Sequence, residues 1–176
     1  MRDGSFDQIS STSTFVYIVG TEFGEPALYD TEVGESWRGG GRVVLVRNGN
    51  EAGWGGLHPG VHNYYLSVHW SESYVEQDIT NLVPGSSYTV SFLVANRPNW
   101  PSTTLRASVD DVLLLEERPS NVAFTKYNAC FQAGDTVARL KFENMASSSN
   151  SEEASIFLAD VNVDQGALNP SECAGM

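Results

Sequence analysis

Basic residues and cysteine are both scarce in this sequence of 176 residues. Only 10 Lys and Arg stand against 22 Asp and Glu, which gives a formal net charge of −12 at pH 7. Negative charge of this size repels phosphate groups and anionic lipids, so we expect neither a nucleic-acid partner nor an acidic membrane surface. No apolar run approaches the length of about 20 residues that a membrane-spanning helix requires, so we expect no membrane insertion. The length suits one domain with a core of its own.

Common catalytic signatures are also absent. The sequence has no G-x-S-x-G elbow and no H-E-x-x-H pair, and the glycines at 39–41 lack the Lys-Ser/Thr that completes a phosphate-binding loop. Adjacent carboxylates such as Asp110 and Asp111 point to opposite faces of a strand and make poor acid–base pairs. We therefore expect a protein that is not an enzyme. The alternative is a glycan-active hydrolase built from two carboxylates that are distant in sequence.

The two cysteines, Cys130 and Cys173, are too few for a zinc site and do not form a C-x-x-C pair. Two interpretations stay open: a disulfide that ties the C-terminal tail to the domain, or two free thiols. The histidines His58, His62 and His69 fall within twelve residues. A strand between the last two would hold them some 20 Å apart at about 3.3 Å per residue, which favours loop or surface histidines over a shared metal.

Apolar and polar residues alternate along most of the chain, and no window of ten or more residues shows clean helical spacing. The alternating segments are rich in Val, Tyr, Phe, Thr and Ile, and turn-forming residues separate most of them. This pattern predicts an all-β protein, an antiparallel β-sandwich. The predicted strands are residues 14–19, 42–47, 63–70, 74–80, 87–95, 105–109, 111–116, 136–143 and 155–163.

We expect these strands to form a single domain over residues 1–165, followed by a C-terminal tail at 166–176. The first residues contain no apolar segment of the kind that a secretory signal has. The first motif that we assign to the folded domain, at residues 3–7, begins almost at the start of the sequence. We therefore expect a mature or excised segment, and the missing secretory signal says little about where the protein is located.

Alternation also assigns faces to the closing strand. It places Phe157, Val161 and Val163 on the face opposite to Ile156. Both faces are apolar, so we expect one strand face to line a groove as well as a core.

One stretch carries a resemblance to a known family. Residues 53–98 read GWGGLHPGVHNYYLSVHWSESYVEQDITNLVPGSSYTVSFLVANRP, a Gly-Trp loop followed by three strand-like runs and a final Asn-Arg-Pro. This order resembles the galactose-binding-domain-like jelly rolls, which include carbohydrate-binding modules of families four, nine and twenty-two and related plant cell-wall proteins. The segments at 3–7, 127–144 and 156–163 are similar to other parts of those modules.

The resemblance implies a non-catalytic carbohydrate-binding module with a jelly-roll fold. Its partner would be a glycan or polysaccharide, and its location extracellular or at the cell surface. The alternative is a structural or adhesive β-sandwich domain that mediates protein–protein contacts in an extracellular assembly. The resembling modules bind a structural calcium ion with acidic residues from both ends of the domain, which implies a Ca²⁺ site at Asp7 and Asp160. Two solvated surface carboxylates are the alternative at these positions.

Aromatic residues are the candidates for ligand contact, because a Trp or Tyr ring can cover the apolar face of a sugar while polar side chains bond its hydroxyls. The expected ligand-binding residues are Trp54, Trp70, Tyr74, Arg97 and Trp100. The resemblance implies that the loops of Trp54 and Trp100 share one rim of the sandwich with Arg97, although packing is the alternative for both indoles. A short hairpin turn at residues 71–73 would carry Trp70 and Tyr74. By contrast, we expect Trp37 and Tyr88 to be core residues.

Overall fold

The computed structural model describes residues 15–19, 37–48, 54–60, 63–147 and 154–166. These residues form nine β-strands and no helix, so none of them lies in a helix long and apolar enough to cross a membrane. Every pairing between the strands is antiparallel. The strands are β1 (Phe15–Val19), β2 (Arg38–Arg47), β3 (Tyr64–Thr80), β4 (Ser87–Asn96), β5 (Leu105–Val109), β6 (Val112–Glu117), β7 (Thr125–Gln132), β8 (Val137–Asn144) and β9 (Ser155–Gln165).

The long strand β3 belongs to both layers of a sandwich. Its first half pairs with β9, and its second half, residues 74–80, pairs with β8. Strand β2 runs beside both halves. The first layer therefore has the order β1-β2-β3-β9-β4-β7, and the second layer has the order β2-β3-β8-β5-β6. This antiparallel jelly-roll sandwich confirms the predicted fold class.

The predicted hairpin turn at residues 71–73 is wrong, because β3 bends there without reversing. A single residue of β2, Gly41, stands opposite four residues of β3 that begin at Trp70. Trp70 and Glu72 take positive φ angles of 73° and 61° within this bulge. Only glycine fits opposite, since a Cβ on Gly41 would lie 2.3 Å from the Ser73 Oγ. The bulge carries the chain from the first layer to the second.

The main core lies between the two layers. Phe92 of β4 and Phe142 of β8 meet edge to face with ring centroids 4.9 Å apart, and this contact joins the layers. Trp37 and Tyr88 are both buried in the same cluster, which confirms that they are core residues.

The outer face of the first layer carries a second buried apolar cluster, so both faces of its strands are apolar, as expected. Its members are Val44, Val46, Trp54, Tyr65, Ala95, Phe157 and Ala159. One predicted face is wrong: Val161 and Val163 pack on the main core with Ile156 and not with Phe157. The reason is Asp160, whose positive φ of 48° interrupts the alternation where the register with β4 shifts.

The predicted strands do not include β7, although it alternates: Tyr127, Ala129 and Phe131 face the main core, and Lys126, Asn128 and Gln132 lie on the other face. Among the described strands, β7 pairs with β4 at the edge of the first layer, whereas β8 lies inside the second layer. Cys130 is buried in β7, and Cys173 lies outside the described residues. The disulfide therefore stays a prediction, which mass measurement of the non-reduced protein would test. The domain boundary after residue 165 also stays a prediction.

Candidate functional site

Two indoles hold an arginine between them beyond the end of β4. The guanidinium carbon of Arg97 lies 4.6 Å from the ring centroid of Trp54 and 4.6 Å from that of Trp100. A guanidinium over an indole face contributes about 0.5–2 kcal/mol, and more when it is desolvated. Trp54 and Arg97 are 6% and 7% exposed, whereas Trp100 is 39% exposed. The arginine thus supports a partly exposed tryptophan ring from beneath.

A second cation–indole pair extends this arrangement. His69 lies 6.1 Å from Trp54 and 5.7 Å from Trp70, measured between ring centroids, and the guanidinium carbon of Arg42 lies 4.4 Å from the Trp70 ring. His69 and Arg42 are buried, while Trp70 is partly exposed. We call the six side chains the indole–arginine row; in order they are Trp100, Arg97, Trp54, His69, Trp70 and Arg42.

The start of β9 holds both halves of the row in place. The Ser155 hydroxyl and the His69 Nδ1 form a buried hydrogen bond. The backbone N–H of Arg97 donates to the Ser155 carbonyl at 3.1 Å, and that of Trp70 donates to the Ala154 carbonyl at 3.1 Å. One short piece of β9 therefore positions residues from β3 and from the loop after β4.

Two buried asparagines fix the loop that carries Trp100. The Asn96 amide donates to the carbonyls of Thr103 and Pro119, and its Oδ1 accepts from the Thr103 N–H at 2.9 Å. The Thr103 hydroxyl donates to Asn144 Oδ1 at 2.8 Å, and the Asn144 amide donates in turn to the Val68 carbonyl. Satisfied buried networks of this kind hold a loop in one conformation. Asn96 is fully buried, so its amide holds the loop and does not face the solvent.

The turn of Trp54 packs directly on the loop of Arg97. Gly55 has a φ of 79°, and a Cβ on it would lie 2.6 Å from the Pro98 Cγ, so only glycine allows this approach. Beneath the turn, burial raises the pKa of the Tyr65 hydroxyl above its ordinary value, and the positive charge of Arg97 opposes this rise. The region around the Tyr65 hydroxyl is thus shielded from water, which strengthens polar contacts made there.

A family model matches residues 1–161, and the family is described as a protein of unknown function, DUF642. The chain belongs to the DUF642 family. A comparison with curated proteins found no match.

Solved structures similar to this DUF642 chain include several jelly-roll modules. The CBM22-1 xylan-binding domain of Xyn10C from Paenibacillus barcinonensis is 11% identical, with a TM-score of 0.55 over 88% of this chain and 97% of that one. TmCBM61 in complex with β-1,4-galactotriose is 13% identical, with a TM-score of 0.51 over 74% and 88%. The CBM22-1–GH10 modules of Clostridium thermocellum Xyn10B, complexed with xylohexaose, are 15% identical, with a TM-score of 0.54 over 76% and 27%. These likenesses show the fold and confirm the resemblance to carbohydrate-binding jelly rolls.

Four of the five predicted ligand-binding residues of the DUF642 chain meet in the row, and the fifth, Tyr74, does not. Because β3 bends after Trp70, Tyr74 lies in the second layer against Gly40, with the Lys141 Nζ 4.5 Å from its ring centroid. Trp54 is a member of the second apolar cluster, so its packing alternative holds and it does not present an open ring. The ligand roles of Trp70, Tyr74, Arg97 and Trp100 stay predictions.

Sequence reasoning missed Arg42 and His69. The expectation of a loop or surface histidine is wrong for His69, which is 4% exposed in the middle of β3. Its alternation with Tyr65 and Ser67 could have indicated a buried position. Nothing local marks Arg42, because its contact with Trp70 depends on the pairing of β2 with β3.

The calcium site of the DUF642 chain also stays a prediction. Asp160 is partly buried in β9, and both its carboxylate and its carbonyl oxygen accept hydrogen bonds from the Asn162 amide. Such oxygens are the ligands that calcium prefers, so Asp160 suits the ion. Asp7 lies outside the described residues. Within the described ranges, no three His, Cys, Asp or Glu side chains come close enough to hold a metal.

Proposed function

We propose that this domain binds a carbohydrate, with a sugar ring stacked on Trp100 at the exposed end of the indole–arginine row. The observation that carries the proposal is a 39% exposed indole backed by a guanidinium that a second, buried indole holds in turn. Exposing an indole costs solvation free energy, and a rigid ring in this position is suited to cover the apolar face of a sugar.

The rest of the row supplies polar groups for the rim of a sugar. Arg97 carries five N–H donors in a fixed plane, and stacking holds that plane in one orientation. Trp70 and Arg42 repeat the combination at the other end, with Trp54 and His69 between them. Two partly exposed indoles at opposite ends of one row suit an oligosaccharide better than a single sugar.

The fold supports this ligand class. Similar modules include a xylan-binding domain and modules in complex with xylohexaose and with β-1,4-galactotriose. We propose that the domain acts without catalysis. This proposal rests on the likeness to binding modules such as the xylan-binding domain. Because the sequence resembles carbohydrate-binding modules and plant cell-wall proteins, we also propose an extracellular or cell-surface location, which a tagged copy would test.

One observation favours the alternative of an adhesive domain that binds protein. The edge strand β6 exposes two apolar side chains, Val112 at 66% and Leu113 at 53%. An exposed edge of this kind can pair with another chain. Leu113→Asp would separate the two functions, because it should weaken a protein contact and leave glycan binding unchanged.

A glycan array tests the proposed function. The array would carry xylohexaose, β-1,4-galactotriose and uronate oligomers, and would be probed with the wild type, Trp100→Ala and Trp100→Phe. We expect Trp100→Ala to weaken the binding strongly and Trp100→Phe to retain more of it. Val122→Ala is the matched control, since Val122 is 77% exposed and takes no part in the row. Binding that is equal in the wild type and Trp100→Ala would contradict the proposal.

A further inference from the structure

A groove of about 450 Å³ crosses the outer face of the second layer. Its walls come from the second half of β3, from β8 and from the turn between β5 and β6. The lining side chains that bear on its chemistry are Tyr74, Glu76, Asp78, Asp111, Arg139 and Lys141. Val75, Ile79, Leu140 and Phe142 lie in the main core, so alternation turns the lining residues away from it.

An ion-pair network holds the polar groups of the groove in fixed positions. Arg139 Nε lies 3.0 Å from Asp78 Oδ1 and 3.7 Å from Glu76 Oε1. Arg38 reaches the same two carboxylates from the other side, at 3.0 Å and 3.5 Å. Exposed pairs add little stability, but a shared network fixes the orientation of hydrogen-bonding groups. The floor of the groove therefore offers acceptors and donors side by side.

The Tyr74 ring lies flat on β2 at one end of the groove. A Cβ on Gly40 would lie 2.3 Å from its Cε1 and 2.7 Å from its Cζ, so glycine at this position lets the ring rest on the backbone. The Lys141 ammonium lies 4.5 Å from the ring centroid and 3.2 Å from the Glu143 carboxylate. An aromatic ring beside fixed donors and acceptors suits an amphipathic, hydroxyl-rich ligand.

The charge of the groove selects among such ligands. Its lining contains four carboxylates, from Glu76, Asp78, Asp110 and Asp111, against two cations, and the groups that pair with this lining, Arg38 and Glu143, add one charge of each sign. A chain with a net charge of −12 adds to this field. An anionic sugar such as a uronate would meet repulsion, whereas a neutral sugar would not.

We propose that this groove is a second binding site, for a neutral oligosaccharide, and that the domain bridges two polysaccharide chains. The ligand class rests on the proposed function, but the site does not share residues with the row. The row lies on the outside of the first layer and the groove on the outside of the second, with the main core between them. Two sites that face away from each other bind separate chains.

Titration calorimetry with xylohexaose tests the site, with a hexamer of galacturonate as the anionic comparison. We expect two xylohexaose molecules per wild-type chain and one in either Tyr74→Ala or Trp100→Ala. Gly40→Ala should also lose the groove site, because its Cβ displaces the Tyr74 ring without removing any group that touches the ligand. Arg106→Ala is the matched control, since Arg106 pairs with Glu116 on the same layer and does not line the groove. Thermal melts of each variant show that it is folded.

Bridging has its own measurement, the capture of fluorescent soluble xylan on insoluble xylan. The wild type should capture it, and neither single variant should. The galacturonate hexamer should bind the groove at least about tenfold more weakly than xylohexaose, which is about 1.4 kcal/mol.

The outcomes distinguish the two proposals. If calorimetry finds one site in the wild type, and Trp100→Ala removes this site while Tyr74→Ala does not, the groove proposal is wrong and the proposed function of the row stands. One site that only Tyr74→Ala removes supports the groove and overturns the role of the row. Equal or tighter binding of galacturonate, or saturation of the groove by a lysine-rich peptide in place of xylohexaose, overturns the neutral-sugar assignment.

Discussion

Replacing Trp100 with alanine should strongly weaken glycan binding at the row and leave the domain almost as stable as the wild type. The matched substitution is Trp54→Ala, which removes the same atoms from the other face of Arg97. The two indoles differ mainly in burial, 39% exposed against 6% exposed. Comparing the two variants therefore separates a ring that contacts ligand from a ring that supports it.

The expected magnitudes follow from these exposures. Trp100→Ala loses one exposed cation–π contact of about 0.5–1 kcal/mol and little buried area. Trp54→Ala opens a cavity in the second apolar cluster, and buried Trp→Ala changes cost about 3–5 kcal/mol. For a domain of this size, 1 kcal/mol lowers the melting temperature by about 2–4 °C. We expect a loss of about 1–4 °C for Trp100→Ala and of at least about 6 °C for Trp54→Ala.

Thermal melts and titration with xylohexaose on the same preparations measure both quantities. Affinity at the row should fall at least about tenfold in Trp100→Ala, a loss of about 1.4 kcal/mol. A Trp100→Ala melt as low as that of Trp54→Ala would show that Trp100 is a core residue. Unchanged affinity in a stable Trp100→Ala would refute the ligand role of the row.

Three further predictions address the support of the sites. Asn96→Ala should cost about 1–3 kcal/mol by chemical denaturation, because it leaves buried backbone groups unpaired, and it should also weaken glycan binding; a neutral change would contradict the loop-fixing role. Asp78→Asn should cost less than about 1 kcal/mol at pH 7, since the pair with Arg139 is exposed. The hydrogen bond from Arg139 holds the pKa of Asp78 in the folded protein below its ordinary value of 3.8. The stability that Asp78 contributes is therefore present above pH 3.8 and disappears as the pH falls through the pKa of the folded protein. If the wild type and Asp78→Asn still differ in stability in acid, the prediction is wrong. If Asp7 and Asp160 share calcium, EDTA should lower the melting temperature and added calcium should restore it, and an unchanged melt would exclude the pairing.

The strands could be predicted from the sequence because each is a local pattern. Alternation in 87–95 and 105–109 reproduces β4 and β5 almost to the residue. Strand β7 carries the same local pattern in Tyr127, Ala129 and Phe131, so its omission from the predicted strands was not forced by the sequence. Asp160 shows where alternation fails as a guide to burial. Its positive φ interrupts the pattern, so the residues that follow it in β9 point to the face opposite to the predicted one.

The row was only partly predictable. Trp54, Arg97 and Trp100 stand out as aromatic and cationic residues beside Gly and Pro, and those residues do create the close approach of Gly55 to Pro98. Arg42 and His69 join through strand pairing and through the hydrogen bond to Ser155, 86 positions away from His69. Contacts of that range carry no local sequence signal.

The bulge in β3 decides which aromatic residues can serve the same ligand. Trp70 and Tyr74 are four residues apart, and in a regular strand they would share a face. Here Gly41 alone stands opposite the bulge, the strand passes to the other layer, and the two rings lie on opposite sides of the sandwich. Two aromatics that look like one platform in the sequence therefore belong to two surfaces. The geometry of the bulge, and not the spacing of the residues, places Trp70 and Tyr74 on two surfaces where the sequence pattern predicts one.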